Sequence, residues 1–294
     1  MLLLRFSLAG ITDACKTDRV PLCLSARSTL SNRSLPVTAG KVAAGKRWLP
    51  AFALFILQTA VFAADSSGKF NIYMSGKPLA NESYSIRSAD GKITIDGSGA
   101  ADLGMLKINI EQFKVVTDDK YMPLEAIAKA QMGKANMSVK AKFSADMAQS
   151  EVDTGQGPNT KEDSIHGGDI VINANLPIFP WSLLMPRVKL DTAEPQQFYA
   201  FILGQAEAPL TVVSKGKDTV EFANKKVTLN HLFGSLAAPS GPIEADFWID
   251  DDRRIIKAIV PAQSVEVYQD GFERKAPPAA PKPDAEGAKK TPNP

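Results

Sequence analysis

Cysteine occurs twice in the 294 residues, at Cys15 and Cys23, and nowhere later in the chain. The remainder therefore forms no disulfide, offers no thiolate nucleophile and cannot ligate zinc through sulfur. No Cys follows the apolar run at 45–64, which excludes a leader of the lipid-anchored kind. Histidine is equally scarce. His166 and His231 stand far apart without a dense carboxylate cluster, so no metal and no other cofactor is expected. There is no G-x-S-x-G elbow and no glycine-rich phosphate loop with its lysine. Ser164, His166 and Asp169 crowd one loop, whereas a catalytic triad is assembled from separate elements. "IDDDRR" lacks the spaced acids, glycine and terminal glutamate of a calcium loop and reads as a charged hairpin turn. The expectation is a protein that is not an enzyme. An unrecognised carboxylate pair is the route by which it would instead be a hydrolase.

A basic surface is missing too, although the whole chain is net +2. Residues 1–64 hold eight of the 34 basic and two of the 32 acidic residues, which leaves 26 basic and 30 acidic, net −4. A mildly acidic domain without a basic stripe is a poor nucleic-acid binder, and it lacks the polybasic cluster that draws proteins to anionic membranes.

The excess of positive charge belongs to an address. Lys41, Lys46 and Arg47 precede an apolar run from Trp48 to Leu57, and Val61 and Ala63 put small residues before a cleavage site, with Ala64 as a second option. That is the layout of a signal peptide. A retained anchor needs roughly 20 predominantly apolar residues, and Gln58, Thr59 and Asp65 interrupt the run. Residues 45–64 are thus expected to be a leader, with cleavage at Ala63 or Ala64 and no membrane span afterwards. Residues 1–44, rich in Arg and Ser and poor in acids, read as an extension from a start set too far upstream, or alternatively as part of an organelle address. At the other end, 275–294 holds six of the 20 prolines and no large apolar residue, and is expected to be a disordered tail. One domain, 65–274, remains.

Within it the apolar residues recur with a period of two. "KFNIYM" aligns Phe70, Ile72 and Met74; "SVKAKFSA" aligns Val139, Ala141, Phe143 and Ala145; "DIVINA" aligns Ile170, Ile172 and Ala174; "IEADFWID" aligns Ala245, Phe247 and Ile249. Such alternation marks antiparallel strands with one buried face. In "LKINIEQFKVV" the phase slips after Ile110, which predicts a bulge near Gln112. "SGKP" (75–78), "ADGK" (89–92), "SKGKD" (214–218) and "DDDRR" (250–254) read as turns. "YMPLEAIAKAQMG" (121–133) is open to helix or strand and is assigned to strand by its neighbours. The fold class is mostly all-β: a curved antiparallel sheet or open β-barrel of roughly a dozen strands, with one short helical lid or plug. An outer-membrane barrel would need aromatic girdles on many strands; aromatics are 7% of the chain, and the polar strand faces carry lysine.

The helical exception is "NLPIFPWSLLMPRVKLD" (175–191). Pro180 suits a first helical turn, Trp181, Leu184 and Met185 share a face, and Pro186 ends the turn. Two readings stand side by side: a core-filling connector, or a lid over a β cavity in which Phe179, Trp181, Leu184 and Met185 touch a ligand. His231 shares parity with Val227, Leu229 and Phe233, and is either a satisfied core histidine or a polar group inside that cavity. His166, flanked by glycine, is expected to be exposed.

"FNIYMSGKPLANESYSI", then "NLPIFPWSLLMPRVKLD" with "PQQFYAFI", then "ADFWIDDDRRIIKAIVPAQSVEVY" resemble, in that order, a family of secreted bacterial β proteins of unknown function. The likeness covers 68–274 and implies a fold, with no active site to carry over. The implied shape is also similar to that of the periplasmic lipoprotein carriers, an incomplete antiparallel barrel with an apolar cavity and a helical plug. The expected function is an exported binding module, in the periplasm or cell envelope, for a lipid or other apolar or amphiphilic ligand. The competing expectation is a scaffold or chaperone-like protein that binds an envelope protein through a sheet edge.

Overall fold

The computed structural model describes residues 65–167, 170–173, 177–238 and 241–275. The leader sites Ala63 and Ala64, residues 1–62, and most of the tail lie outside the described residues.

Fifteen strands form one sheet: β1 (Ser66–Met74), β2 (Lys77–Ala89), β3 (Lys92–Asp102), β4 (Lys107–Asp118), β5 (Pro123–Met132), β6 (Ala135–Phe143), β7 (Met147–Asp153), β8 (Pro158–Ser164), β9 (Ile170–Asn173), β10 (Gln196–Ile202), β11 (Glu207–Glu221), β12 (Lys226–Leu236), β13 (Ile243–Ile249), β14 (Ile255–Val260) and β15 (Val265–Gln269). Their spatial order is β8-β7-β6-β5-β4-β3-β2-β1-β15-β14-β13-β12-β11-β10-β9. Every neighbouring pair is antiparallel except β9–β10, which is parallel. The sheet is thus two antiparallel meanders, β1–β8 and β10–β15, stitched at mid-sheet where β1 pairs with β15 from Phe70↔Gln269 to Met74↔Val265, with β9 added in parallel beside β10. The sheet is curved and not closed.

Local chemistry explains the hairpins. Asp90 and Gly91 both have positive φ, as do Ser75 and Gly76, the conformation a two-residue hairpin requires. The turn after β13 is bound by Arg254, whose backbone N–H donates to Asp250 Oδ1 at 2.8 Å and whose side chain donates to Oδ2 at 2.7 Å. The predicted bulge is present: the β4–β5 register shifts between Ile110 and Gln112. "YMPLEAIAKAQMG" forms strand β5. "SKGKD" is a correction. It is no turn but lies inside the 15-residue β11, where the register to β12 shifts between Ser214 and Gly216. Glycine at positive φ inside a strand serves a bulge as well as it serves a turn. Ala145 is also displaced from its predicted place, since β6 ends at Phe143.

The inner face carries the main core, from Phe70, Ile72, Ile95, Phe113 and Val115 on one wing to Phe201, Leu210, Leu232, Phe247 and Val267 on the other. The far ends of the two wings meet. Phe143 of β6 packs edge-on against Phe201 of β10 at 5.3 Å between ring centroids, and Lys161 of β8 donates to the Gln205 carbonyl. The opposite face of β11–β15 carries a second, smaller apolar cluster of Val220, Phe222, Leu229, Trp248, Ile256 and Tyr268.

Candidate functional site

The connection between β9 and β10 lies against the inner face as two short 3-10 turns, Phe179–Leu183 and Met185–Arg187. Prolines 177, 180 and 186 shape it by fixing φ and withholding N–H donors. Four of the five residues of the first turn, and Met185 of the second, are buried. Among the described residues, the backbone hydrogen bonds of this segment are internal: Trp181 to Ile178, Leu184 to Trp181, Arg187 to Leu184 and Val188 to Met185. Among the described residues, no ladder joins it to the sheet. Side chains attach it instead. Arg253 donates to the Val188 carbonyl at 2.8 Å, and Ser214 Oγ donates to that of Leu190 at 3.1 Å.

The deepest attachment is Glu82 on β2. Its carboxylate accepts the Ile178 N–H at 3.1 and 2.9 Å and the Phe179 N–H at 3.3 Å, the donors a helical turn leaves unpaired at its start. The side chain is only 2% exposed. Burial pushes its pKa up from 4.5 to about 7, against the smaller opposing pull of the two N–H donors.

Aromatic rings surround this point. Phe70 stacks on Tyr84 at 5.3 Å, Tyr84 on Phe179 at 5.7 Å, and Phe113 meets Phe179 edge-on at 5.8 Å. Two glycines make the space. A Cβ on Gly68 would come within 2.7 Å of the Tyr84 ring, and one on Gly97 within 2.6 Å of the Phe179 ring. Burial also raises the Tyr84 pKa.

Of the predicted ligand residues, Phe179, Leu184 and Met185 are at most 1% exposed and belong to the main core. Trp181 is half-buried and packs on Phe247 at 5.6 Å. These four are brought together, as filling for the inner face. His231 is not among them. It lies on the opposite face with Leu229, as its parity requires, stacked on Trp248 at 4.6 Å, with Nε2 2.8 Å from Asp246 Oδ1. It is a satisfied histidine beside the second cluster and not a group inside the curve of the sheet. Lys257 lies over the same indole at 4.6 Å, and burial lowers its pKa.

His166 also has partners that sequence reasoning missed. Its ring stacks on Tyr199 at 3.9 Å, and Nδ1 is 2.5 Å from Glu207. Glu207 also accepts the His166 backbone N–H, at 3.0 and 3.1 Å. These contacts seam β8 to β10 and β11. Glu82 was missed as well, although the signal was present: in "LANESYSI" it shares parity with Ala80, Tyr84 and Ile86, an acid on an apolar stripe.

Open hollows lie elsewhere among the described residues. One of about 490 Å³ follows the adjacent bulges of β3 and β4 and is lined by Asp96, Glu111, Gln112 and Lys129, among others. Another, about 370 Å³, lies beside Ser75, Glu266 and Arg274. Among the described residues, no three His, Cys, Asp or Glu side chains are grouped to hold a metal ion, and no helix is long and apolar enough to cross a membrane.

No family model matches the chain, and no curated protein matches it. Among solved structures, the crystal structure of a DUF1089 family protein from Pseudomonas aeruginosa is similar, with 12% identity and a TM-score of 0.41 over 66% of this chain and 92% of that one. No residue role passes from that protein to this one.

Proposed function

We propose that this is an exported, non-enzymatic binding protein for an apolar or amphiphilic ligand, and that the ligand lies on the inner face of the sheet where segment 177–191 now packs. One observation carries the reading. The apolar inner face is covered by a proline-bracketed segment that, among the described residues, shares no backbone ladder with the sheet and is attached through side chains. Such a cover can leave without breaking the sheet, and the surface it uncovers has the apolar lining and sparse polar groups typical of ligand sites. Phe179, Trp181, Leu184 and Met185 are the residues that move in this reading.

The test is the mass of the protein from an exporting host, measured natively and then denatured. Extra native mass that denaturation releases as lipid supports a carrier. A clean apo mass from several hosts counts against it. The denatured mass is expected to begin near Ala64 or Asp65, and a full-length mass would overturn export.

A further inference from the structure

Glu82 stands in an electrostatically incomplete place. Its neighbours in the sheet on either side are Phe70 of β1 and Gly99 of β3; Tyr84 lies two residues along β2, and segment 177–191 presents Ile178 and Phe179. What acts on its charge is burial and the two backbone donors. The charges of Arg254 and Asp250 act on Tyr84. Among the described residues no cation pairs with Glu82; a buried carboxylate without one is expensive, and an apolar residue of similar size would make a more stable core. If satisfying the Ile178 and Phe179 N–H groups were its whole purpose, a neutral Gln of the same reach would do it without burying charge.

We infer that Ile178–Phe179 occupies, within the chain, a site whose external ligand is a cationic amphiphile, with an ammonium or similar nitrogen head donating to Glu82 and an apolar tail on the inner face. The two N–H donors of the segment stand where the head would donate. The Phe179 ring, between Tyr84 and Phe113, stands where the first part of the tail would lie. The head would supply the positive charge the site lacks, and the Phe70, Tyr84 and Phe113 rings suit a cation beside them. A fatty-acid carboxylate would set like charges against each other in a medium of low dielectric. This inference rests on the proposed binding function and narrows it to a ligand class.

The test compares dodecylamine, dodecanol and dodecanoate at pH 8, each below its micelle or solubility limit, on the chain beginning at Asp65 and on its Glu82→Gln variant. Binding is read by calorimetry, together with hydrogen exchange at the Ile178 and Phe179 amides. The expected result is dodecylamine binding at least tenfold tighter than dodecanoate, faster exchange at those two amides on binding, and loss of the preference in Glu82→Gln. If dodecanol and dodecanoate bind as well as the amine, or the preference survives in Glu82→Gln, the headgroup inference is overturned while the apolar site stands. If none of the three binds, the binding function falls with it. Should Glu82→Gln fail to fold, the wild-type ranking and the amide exchange decide alone.

Discussion

At the residue scale, Glu82 links burial to pH. Its pKa in the folded protein is raised from 4.5 to about 7, so the folded state holds this proton more tightly than the unfolded state. Its contribution to stability is therefore fully present below pH 4.5 and is lost as pH rises through 7. The shift corresponds to about 3 kcal/mol. Urea unfolding between pH 4 and 8 is expected to show this loss in the wild type, and Glu82→Gln to flatten the difference; parallel profiles for the two would show that the carboxyl is solvated. Gly97 gives a second prediction at this scale. A Cβ there would meet both the Phe179 ring and the Ser83 carbonyl at 2.6 Å. Backbone cannot yield as a side-chain tip can, so Gly97→Ala is expected to cost about 1–3 kcal/mol, measured as a shift in the denaturation midpoint at unchanged slope.

At the element scale, segment 177–191 divides into a buried start and a half-exposed shoulder. Phe179 is fully buried against the rings of Tyr84 and Phe113, so Phe179→Ala is expected to cost about 3–5 kcal/mol. Trp181 is half-buried against Phe247, and Trp181→Ala is expected to cost about 1–2 kcal/mol, scaled down from full burial. If Trp181 moves with a ligand, the same substitution weakens binding by more than it lowers stability. Thermal unfolding and a binding titration on the same two variants separate core from cover; a Trp181→Ala protein that fails to fold would make the whole segment core. The prolines made this turn legible in the sequence, because each restricts φ and removes a donor whatever surrounds it. Strand β11 shows the reverse. "SKGKD" carries turn residues, yet pairing with β12 on both sides of Gly216 draws it into one long bulged strand. Local composition cannot distinguish a turn from a bulge when both need a positive φ.

At the scale of the whole molecule, the β1–β15 pairing holds the two meanders as one sheet, joining residues about as far apart as the domain allows. Truncation after Val260 removes β15 and is expected to abolish cooperative folding. Truncation after Lys275 removes no described strand and is expected to leave the melting temperature within about one degree, consistent with surface changes that cost under 0.5 kcal/mol. Differential scanning calorimetry of the two truncations tests this, and a folded chain lacking β15 would show that the wings are independent. The edges also bear on partners. β8 carries Pro158 and the charged run Lys161, Glu162 and Asp163, devices that blunt an edge against further pairing. That weighs against recognition of another protein through this edge.

The sequence by itself determined what short range controls: that strands dominate, where most hairpins turn, that a bulge lies near Gln112, and that a proline-bounded turn interrupts the sheet. These follow from period-two alternation, φ preferences and missing donors, which act over a few residues. Tertiary structure alone decided which face of each strand is covered. Alternation separates two faces without saying which one is inside, and β11–β15 carry apolar residues on both. Hence His231, on its apolar stripe as predicted, lies outside the curve, while Glu82, an acid on another stripe, lies inside it. Its burial, its raised pKa and its hold on Ile178 and Phe179 arise only when segment 177–191, nearly a hundred residues further along, folds back over β2.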